Sequence, residues 1–311
     1  MSPSTPTINP ACSALVMWRG AIVAGLSSLF FASMALFTKM LAEGTGGIHR
    51  VAAGEVVFFR FLIGAVIVLS VRAVKPIALA GKDRRGIFWR SAAGAAAILT
   101  FYLSIQLTSL TNATLLSYTY GIFGPLFAAL WLRERISALG KAGIVSALAG
   151  AYFVIGMQFS HTTVARIGDL IGLLSGIAGG LTIVATRHLR RTESTTVIFF
   201  YLCLIGIPMA LTSTAFQHFT LPDLWGFELL LAVGVFGVLA EMSLTYAFRY
   251  ISASYGSVLT MITVVIAALY DVILLHNPVG WKSVIGISLV IMGALALSLE
   301  HRKSAVTPPD D

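Results

Sequence analysis

The sequence predicts an all-α membrane protein of ten transmembrane helices, built as two inverted five-helix repeats around a central cavity. Three observations carry that prediction. Apolar residues make up 57% of the 311-residue chain and charged residues only 11%, with a mean hydropathy of +0.89. A water-soluble domain needs about a quarter of its residues charged to cover its surface. Second, the apolar residues fall into ten runs, each near the roughly 20 residues that a helix rising about 1.5 Å per residue needs to cross hydrocarbon. Third, the sequence resembles itself at a fixed offset.

The runs are 20–42, 54–72, 89–108, 113–132, 138–158, 167–187, 195–215, 226–248, 252–274 and 280–299. The first follows Arg19 as a signal peptide would, yet it continues to Lys39 without a small-residue cleavage site, so it reads as a retained helix. The second carries Arg60 within it and Glu55 one turn earlier, which predicts pairing or snorkelling. The fourth contains Pro125 beside Gly121 and Gly124, a possible hinge, because proline removes a rung of the backbone ladder. Runs such as Gly143 to Gly156 and Val284 to Leu299 are continuously apolar and do not alternate, which excludes the strands of a barrel. The eighth holds Glu241.

Of 21 Lys and Arg residues, 16 fall in the even-numbered gaps and tails that share a side when the N-terminus is inside, Arg90 among them. The excess of basic residues in cytoplasmic loops then places both termini, 1–19 and 301–311, in the cytoplasm. The formal charge of +8 is spread through these gaps and forms no stripe for nucleic acid. Cys12 and Cys203 give no disulfide framework, and no metal spacing or cofactor motif occurs. Membrane lipid and a small-molecule substrate are the expected partners; self-association is not deducible.

At an offset of 143 residues, Ser109 falls on Ser252, Leu116 on Leu259, Ser117 on Thr260, Gly143 on Gly286 and Gly150 on Gly293. With a shorter loop, Ser27 matches Ser175 and Thr38 matches Thr186. Each unit holds an odd number of spans, so the second copy, 167–300, lies upside down relative to the first, 20–158. Inverted repeats of this kind are characteristic of secondary transporters.

Arg60-Phe61-Leu62, together with Gly124-Pro125-Leu126 through Leu132-Arg133-Glu134-Arg135 followed by Gly143 and Gly150, resembles the drug/metabolite transporter superfamily and its EamA repeat. In the second copy Pro125 becomes Ala268 and Glu134 becomes Asn277. Length, span number and composition are similar to the bacterial exporters of aromatic and other neutral amino acids within that superfamily. The resemblance implies a basket of helices in a bacterial inner membrane, with a cavity lined by the first, third, fourth, sixth, eighth and ninth spans.

Polar side chains in hydrocarbon face protein or water, so helical spacing picks out the inner faces. Tyr102 and Gln106 share one face of the third span, matched by Thr245 and Arg249 in the eighth, with Tyr246 beside them. Ser117 and Gly121 share a face of the fourth span, matched by Thr260 in the ninth. Only one of Tyr118 and Tyr120 can face the cavity squarely. Ser175, Gly179, Thr182 and Thr186 align in the sixth span, matched by Ser27, Phe31, Met34 and Thr38 in the first. For the small residues, helix packing competes with ligand binding. Glu241 is the sharpest single signal, a candidate for proton coupling, with a structural carboxyl as the alternative.

Alternating-access export of amino acids is therefore the expected function, with other small metabolites or drugs of the same superfamily as the alternative. Arg60 is the one guanidinium that the sequence places deep, which argues against phosphorylated substrates. An enzyme acting on lipid would need clustered acids, histidines or metal ligands, and the 13 acids are scattered. A channel remains open at this point. The topology has a direct check. In a background lacking Cys12 and Cys203, cysteines placed at Ser4 and Thr307 should resist impermeant labels in intact spheroplasts and react after the membrane is opened; labelling from outside would reverse the orientation.

Overall fold

The computed structural model describes residues 10–44, 50–107, 116–133, 136–155, 163–214, 223–273 and 281–306. They form α1 (Pro10–Glu43), α2 (Ala53–Val74), α3 (Arg84–Leu107), α4 (Tyr120–Trp131), α5 (Ala138–Ile155), α6 (Thr163–Leu189), α7 (Thr195–Thr214), α8 (Leu224–Ala247), α9 (Ala253–Leu259), α10 (Ile262–Ile273) and α11 (Trp281–Val306). Six of these are long and apolar enough to cross a membrane unaided, and shorter apolar helices supply the rest. Among the described residues there is no strand.

Short polar residues start the helices. Asp83 Oδ1 accepts from Gly86 N at 2.9 Å, Asp223 Oδ1 from Gly226 N at 3.0 Å, and Ser252 Oγ from Tyr255 N at 3.2 Å. Each cap satisfies an orphan amide and contributes about 1 kcal/mol. Gly44, at φ 72°, closes α1 by donating its amide to Met40 O, a left-handed turn that favours glycine. Two helices outrun their predicted bounds furthest: α1 begins ten residues before 20, at Pro10, and α11 continues to Val306.

The packing has a pseudo-two-fold axis. α3 packs on α6 as α8 packs on α1, α3 on α7 as α8 on α2, and α4 on α6 as the α9–α10 pair does on α1. Individual bonds repeat the relation. Ser27 Oγ donates to Ala240 O at 2.8 Å, and its counterpart Ser175 Oγ donates to Ala97 O at 2.8 Å. On the axis, Ser146 Oγ donates to Leu289 O at 2.9 Å, the residue that the 143-residue offset pairs with it. A Cβ on Gly150 would lie 2.5 Å from Gly286 O, and one on Gly293 would lie 2.5 Å from Gly143 O. These glycines form the seam of α5 and α11, where the absence of side chains lets two backbones touch. The contacts Gly94–Thr182, Ala97–Ser175 and Ser104–Gly168 run in opposite senses along α3 and α6, so the two helices are antiparallel.

The fourth and ninth spans are interrupted, which the continuous runs did not predict. In the fourth, a helical turn at Leu116–Ser117 gives way at Tyr118–Thr119 before α4; in the ninth, α9 and α10 part at Thr260–Met261. The offset carries one break onto the other within a residue. At both, the ladder tightens to three-residue hydrogen bonds, Gly121 N to Tyr118 O at 3.0 Å and Met261 N to Val258 O at 3.0 Å. Ser28 Oγ donates to Leu259 O at 3.1 Å, meeting a carbonyl left over at the second break. Its repeat counterpart Gly176 lies against Leu116 O, the carbonyl equivalent to Leu259 O. Pro125 is buried inside α4, and the helix continues through it. The break lies six residues before that proline.

Because backbone atoms already fill the space, Gly150→Ala and Gly293→Ala should each destabilise the protein by about 1–3 kcal/mol. Their equivalence across the axis predicts similar losses, read by thermal unfolding in detergent. Wild-type stability in both would contradict the close approach of α5 and α11.

Candidate functional site

A column of polar side chains runs through the apolar interior on the faces of α1, α2, α3, α6 and α8. Its centre is an ion pair: Arg90 Nη2 donates to Glu241 Oε1 at 2.5 Å. Arg90 is 1% exposed and Glu241 13%. Each stands six residues from the same end of the bundle, Arg90 from the start of α3 and Glu241 from the end of α8. At about 1.5 Å per residue that is about 9 Å inside the helix ends. Either charge alone would cost about 3 kcal/mol at the centre of a span; joined, each is the other's counter-ion. Arg90 Nε donates to Thr186 Oγ1 at 2.9 Å, and Thr186 donates onward to Thr182 O at 2.6 Å. Arg90 Nη1 is buried and has no hydrogen-bond partner among the described residues.

Arg60 continues the column. It is 8% exposed and does not snorkel. A Cβ on Gly237 would lie 3.1 Å from Arg60 Nε and 3.3 Å from Met34 Sδ, so both residues lie against α8 where no side chain intervenes. Gly237, Glu241 and Thr245 are spaced four apart and share one helix face. The Arg60 and Arg90 side chains therefore meet the same stripe of α8 one turn apart. Toward the opposite end, the buried Tyr102 hydroxyl bonds with Thr38 and lies within the electrostatic reach of Arg60. The buried Cys203 thiol of α7 lies within reach of Arg60, Glu241 and Arg90 together.

Of the residues singled out by sequence, Met34, Thr38, Tyr102 and Glu241 line this column, and Thr245, 1% exposed, extends its α8 face. Thr182 packs against Gly94 of α3 and accepts from Thr186 through its carbonyl. Gln106 lies in α3, with its side chain outside the described residues. Ser117, Tyr118, Gly121 and Thr260 gather instead where the two broken spans cross. Ser117 Oγ and Ser175 Oγ are 3.2 Å apart, and a Cβ on Gly121 would collide with Met261 Cε. Tyr120 OH donates to Thr260 Oγ1 at 2.9 Å, tying one break to the other, while the Tyr118 ring lies 5.6 Å from that of Tyr120, tilted by 40°.

Tyr246 stands apart from the column, 37% exposed, its hydroxyl 2.9 Å from that of Tyr250. Together with Arg190, Arg191, Glu193 and Arg249 it lines a cleft of about 470 Å³ at the basic end of the bundle. Burial, then the neighbouring Arg249, holds the Arg190 guanidinium below its ordinary pKa.

Arg90 corrects the sequence reading. Following Arg84 and Arg85 it resembles an end-of-span cation, and Arg60 alone was expected deep. The structure buries both guanidiniums. The missed signal is depth: Glu241 requires a cation at its own level, and Arg90 lies the same number of residues inside its helix.

Interrupted helices in an inverted duplication, with charge held inside the membrane, define a multi-span transporter. The EamA-like transporter family model matches residues 18–156 and 166–299, and the chain belongs to that family. It is 28% identical to the pseudopaline exporter CntI of Pseudomonas aeruginosa, over 90% of this chain and 95% of that one. It is 21% identical to solute carrier family 35 member G1 of Mus musculus, over 89% of this chain and 77% of that one. A Helicobacter pylori protein described as an uncharacterized transporter is 25% identical, over 88% and 92% of the two chains. A solved crystal structure shares the fold with a TM-score of 0.78 at 17% identity, covering 94% of this chain and 99% of that one.

Removing one partner of a buried ion pair strands the other charge and costs about 3–5 kcal/mol. Arg90→Gln and Glu241→Gln should each destabilise by such an amount, and the double variant should recover most of it. Additive losses in thermal unfolding would show that the two side chains do not act as a pair.

Proposed function

We propose that the protein is a secondary transporter that exports amino acids, aromatic and other neutral ones, from the cytoplasm of a bacterial cell by alternating access. The observation that carries this reading is the buried column from Thr186 through Arg90, Glu241 and Arg60 to Tyr102 and Thr38, framed by two spans that break at equivalent positions. An amino acid presents a carboxylate, an ammonium and a side chain. Guanidinium, carboxylate and aromatic surface in one column match those three parts. A relative named as an exporter supports the outward direction. The excess of basic residues at one end supports placing that end, with both termini, in the cytoplasm.

The crossing of the two broken spans is the natural moving part. The three-residue hydrogen bonds there are weaker than α-helical ones, and the Tyr120–Thr260 bond ties one break to the other. Glu241 acts in this scheme as counter-ion to Arg90, joined to it by a charge-assisted hydrogen bond.

Counterflow in proteoliposomes, with a panel of labelled amino acids, tests the reading. Aromatic and neutral amino acids should exchange. Tyr102→Ala should reduce exchange about tenfold, the effect expected when an interaction of about 1.4 kcal/mol is lost. Substitution of the exposed Leu69 or Leu295 should not. Absence of exchange for every amino acid, with protein levels matched, would reject the amino-acid substrate.

A further inference from the structure

We propose that Arg60 and Arg90 form a subsite for one carboxylate group of the transported molecule, with Glu241 as the resident counter-ion that holds Arg90 in place. This deepens the transport reading above and rests on it. Three observations support it. Arg90 is almost wholly buried, yet Nη1 has no hydrogen-bond partner among the described residues, and an unsatisfied charged donor at that depth is costly unless something comes to meet it. Arg60 and Arg90 reach the same stripe of α8 one turn apart, with Gly237 leaving the backbone bare beside Arg60 Nε. Glu241 keeps more exposure than its partner, which leaves a way in on that side.

Charge counting selects the ligand. Arg60 and Arg90 both lie along this stretch of α8, and Glu241 is the carboxylate bonded there, an arrangement that suits an incoming group of one negative charge. A carboxylate carries one negative charge and two oxygens spaced to accept from a planar guanidinium. A phosphomonoester carries about −1.5 to −2 near neutral pH, which would leave a surplus of negative charge in a dry site. The second buried arginine therefore adds a place for an acid group without turning the site into a phosphate site.

Thermal unfolding of the full chain in detergent tests the subsite, titrated at matched ionic strength with benzoate, benzamide and phenyl phosphate. Benzoate should raise the unfolding temperature, benzamide should not, and phenyl phosphate should act more weakly than benzoate. Arg60→Gln should move the benzoate midpoint upward by about tenfold, the loss expected for a charge-assisted hydrogen bond. Arg90→Gln risks misfolding because it strands Glu241. The double variant Arg90→Gln/Glu241→Gln removes the pair without stranding a charge, and should show a similar benzoate shift. Benzamide acting as well as benzoate, phenyl phosphate binding more tightly, no benzoate response, or unchanged midpoints in both variants would each overturn the subsite. Counterflow separates this from the transport reading. If L-phenylalaninamide exchanges as well as L-phenylalanine, transport stands and the subsite falls. If benzoate binds through Arg60 while no amino acid exchanges, the subsite stands and the amino-acid reading falls.

Discussion

The hydrocarbon interior offers no hydrogen bonds, and every polar group inside the bundle must find its partner within the protein. Most of the fold follows from that constraint. Continuous helices satisfy it rung by rung, and the hydroxyls of Ser27, Ser175 and Ser146 donate to carbonyls of neighbouring helices. The two breaks are where the constraint is hardest to meet. There the backbone tightens to three-residue bonds, and α1 and α6 bring Ser28 and Gly176 against equivalent carbonyls. The glycine ridge Gly172, Gly176 and Gly180 of α6 packs along the broken fourth span, with positions 24, 28 and 32 of α1 as its small counterparts.

The polar column obeys the same rule but not the symmetry. The offset that relates the halves carries Arg90 onto Val233 and Ile98 onto Glu241, so neither member of the ion pair has a charged counterpart. Packing residues recur in both halves because both must solve the same problem of helix contact. The charges of the ion pair occur once, in positions that the other half fills with apolar residues. The duplication thus builds the container, and departures from it furnish the interior.

Much of this was legible in the sequence. The number of spans follows from apolar run length, the repeat from self-similarity, and the seam of α5 and α11 from glycines spaced by seven. The inner faces of α1, α3, α6 and α8 were legible from helical spacing, and Met34, Thr38, Tyr102 and Glu241 do share the column. Small residues proved to be the least discriminating: Ser117, Gly121 and Thr260 mark a helix crossing, as the packing alternative for such residues allows.

Tertiary structure alone decided which faces meet. Arg90 and Glu241 lie 151 residues apart, and Tyr120 and Thr260 lie 140 apart. Periodicity assigns a residue to a face and an approximate depth, but it carries no information about which helix stands opposite. A long arginine side chain near a span end can point outward to water or inward to a carboxylate, and the sequence is the same in both cases. The breaks at Tyr118–Thr119 and Thr260–Met261 were equally hidden, since no proline stands at either and the hydroxyl-bearing residues there also occur within continuous helices. They are set by the close approach of α6 and α1 to the crossing spans. The sequence by itself thus determined the spans, their duplication and their inward faces, through solvent and periodicity; the pairing of charges and the bending of helices depended on contacts that exist only once the bundle has closed.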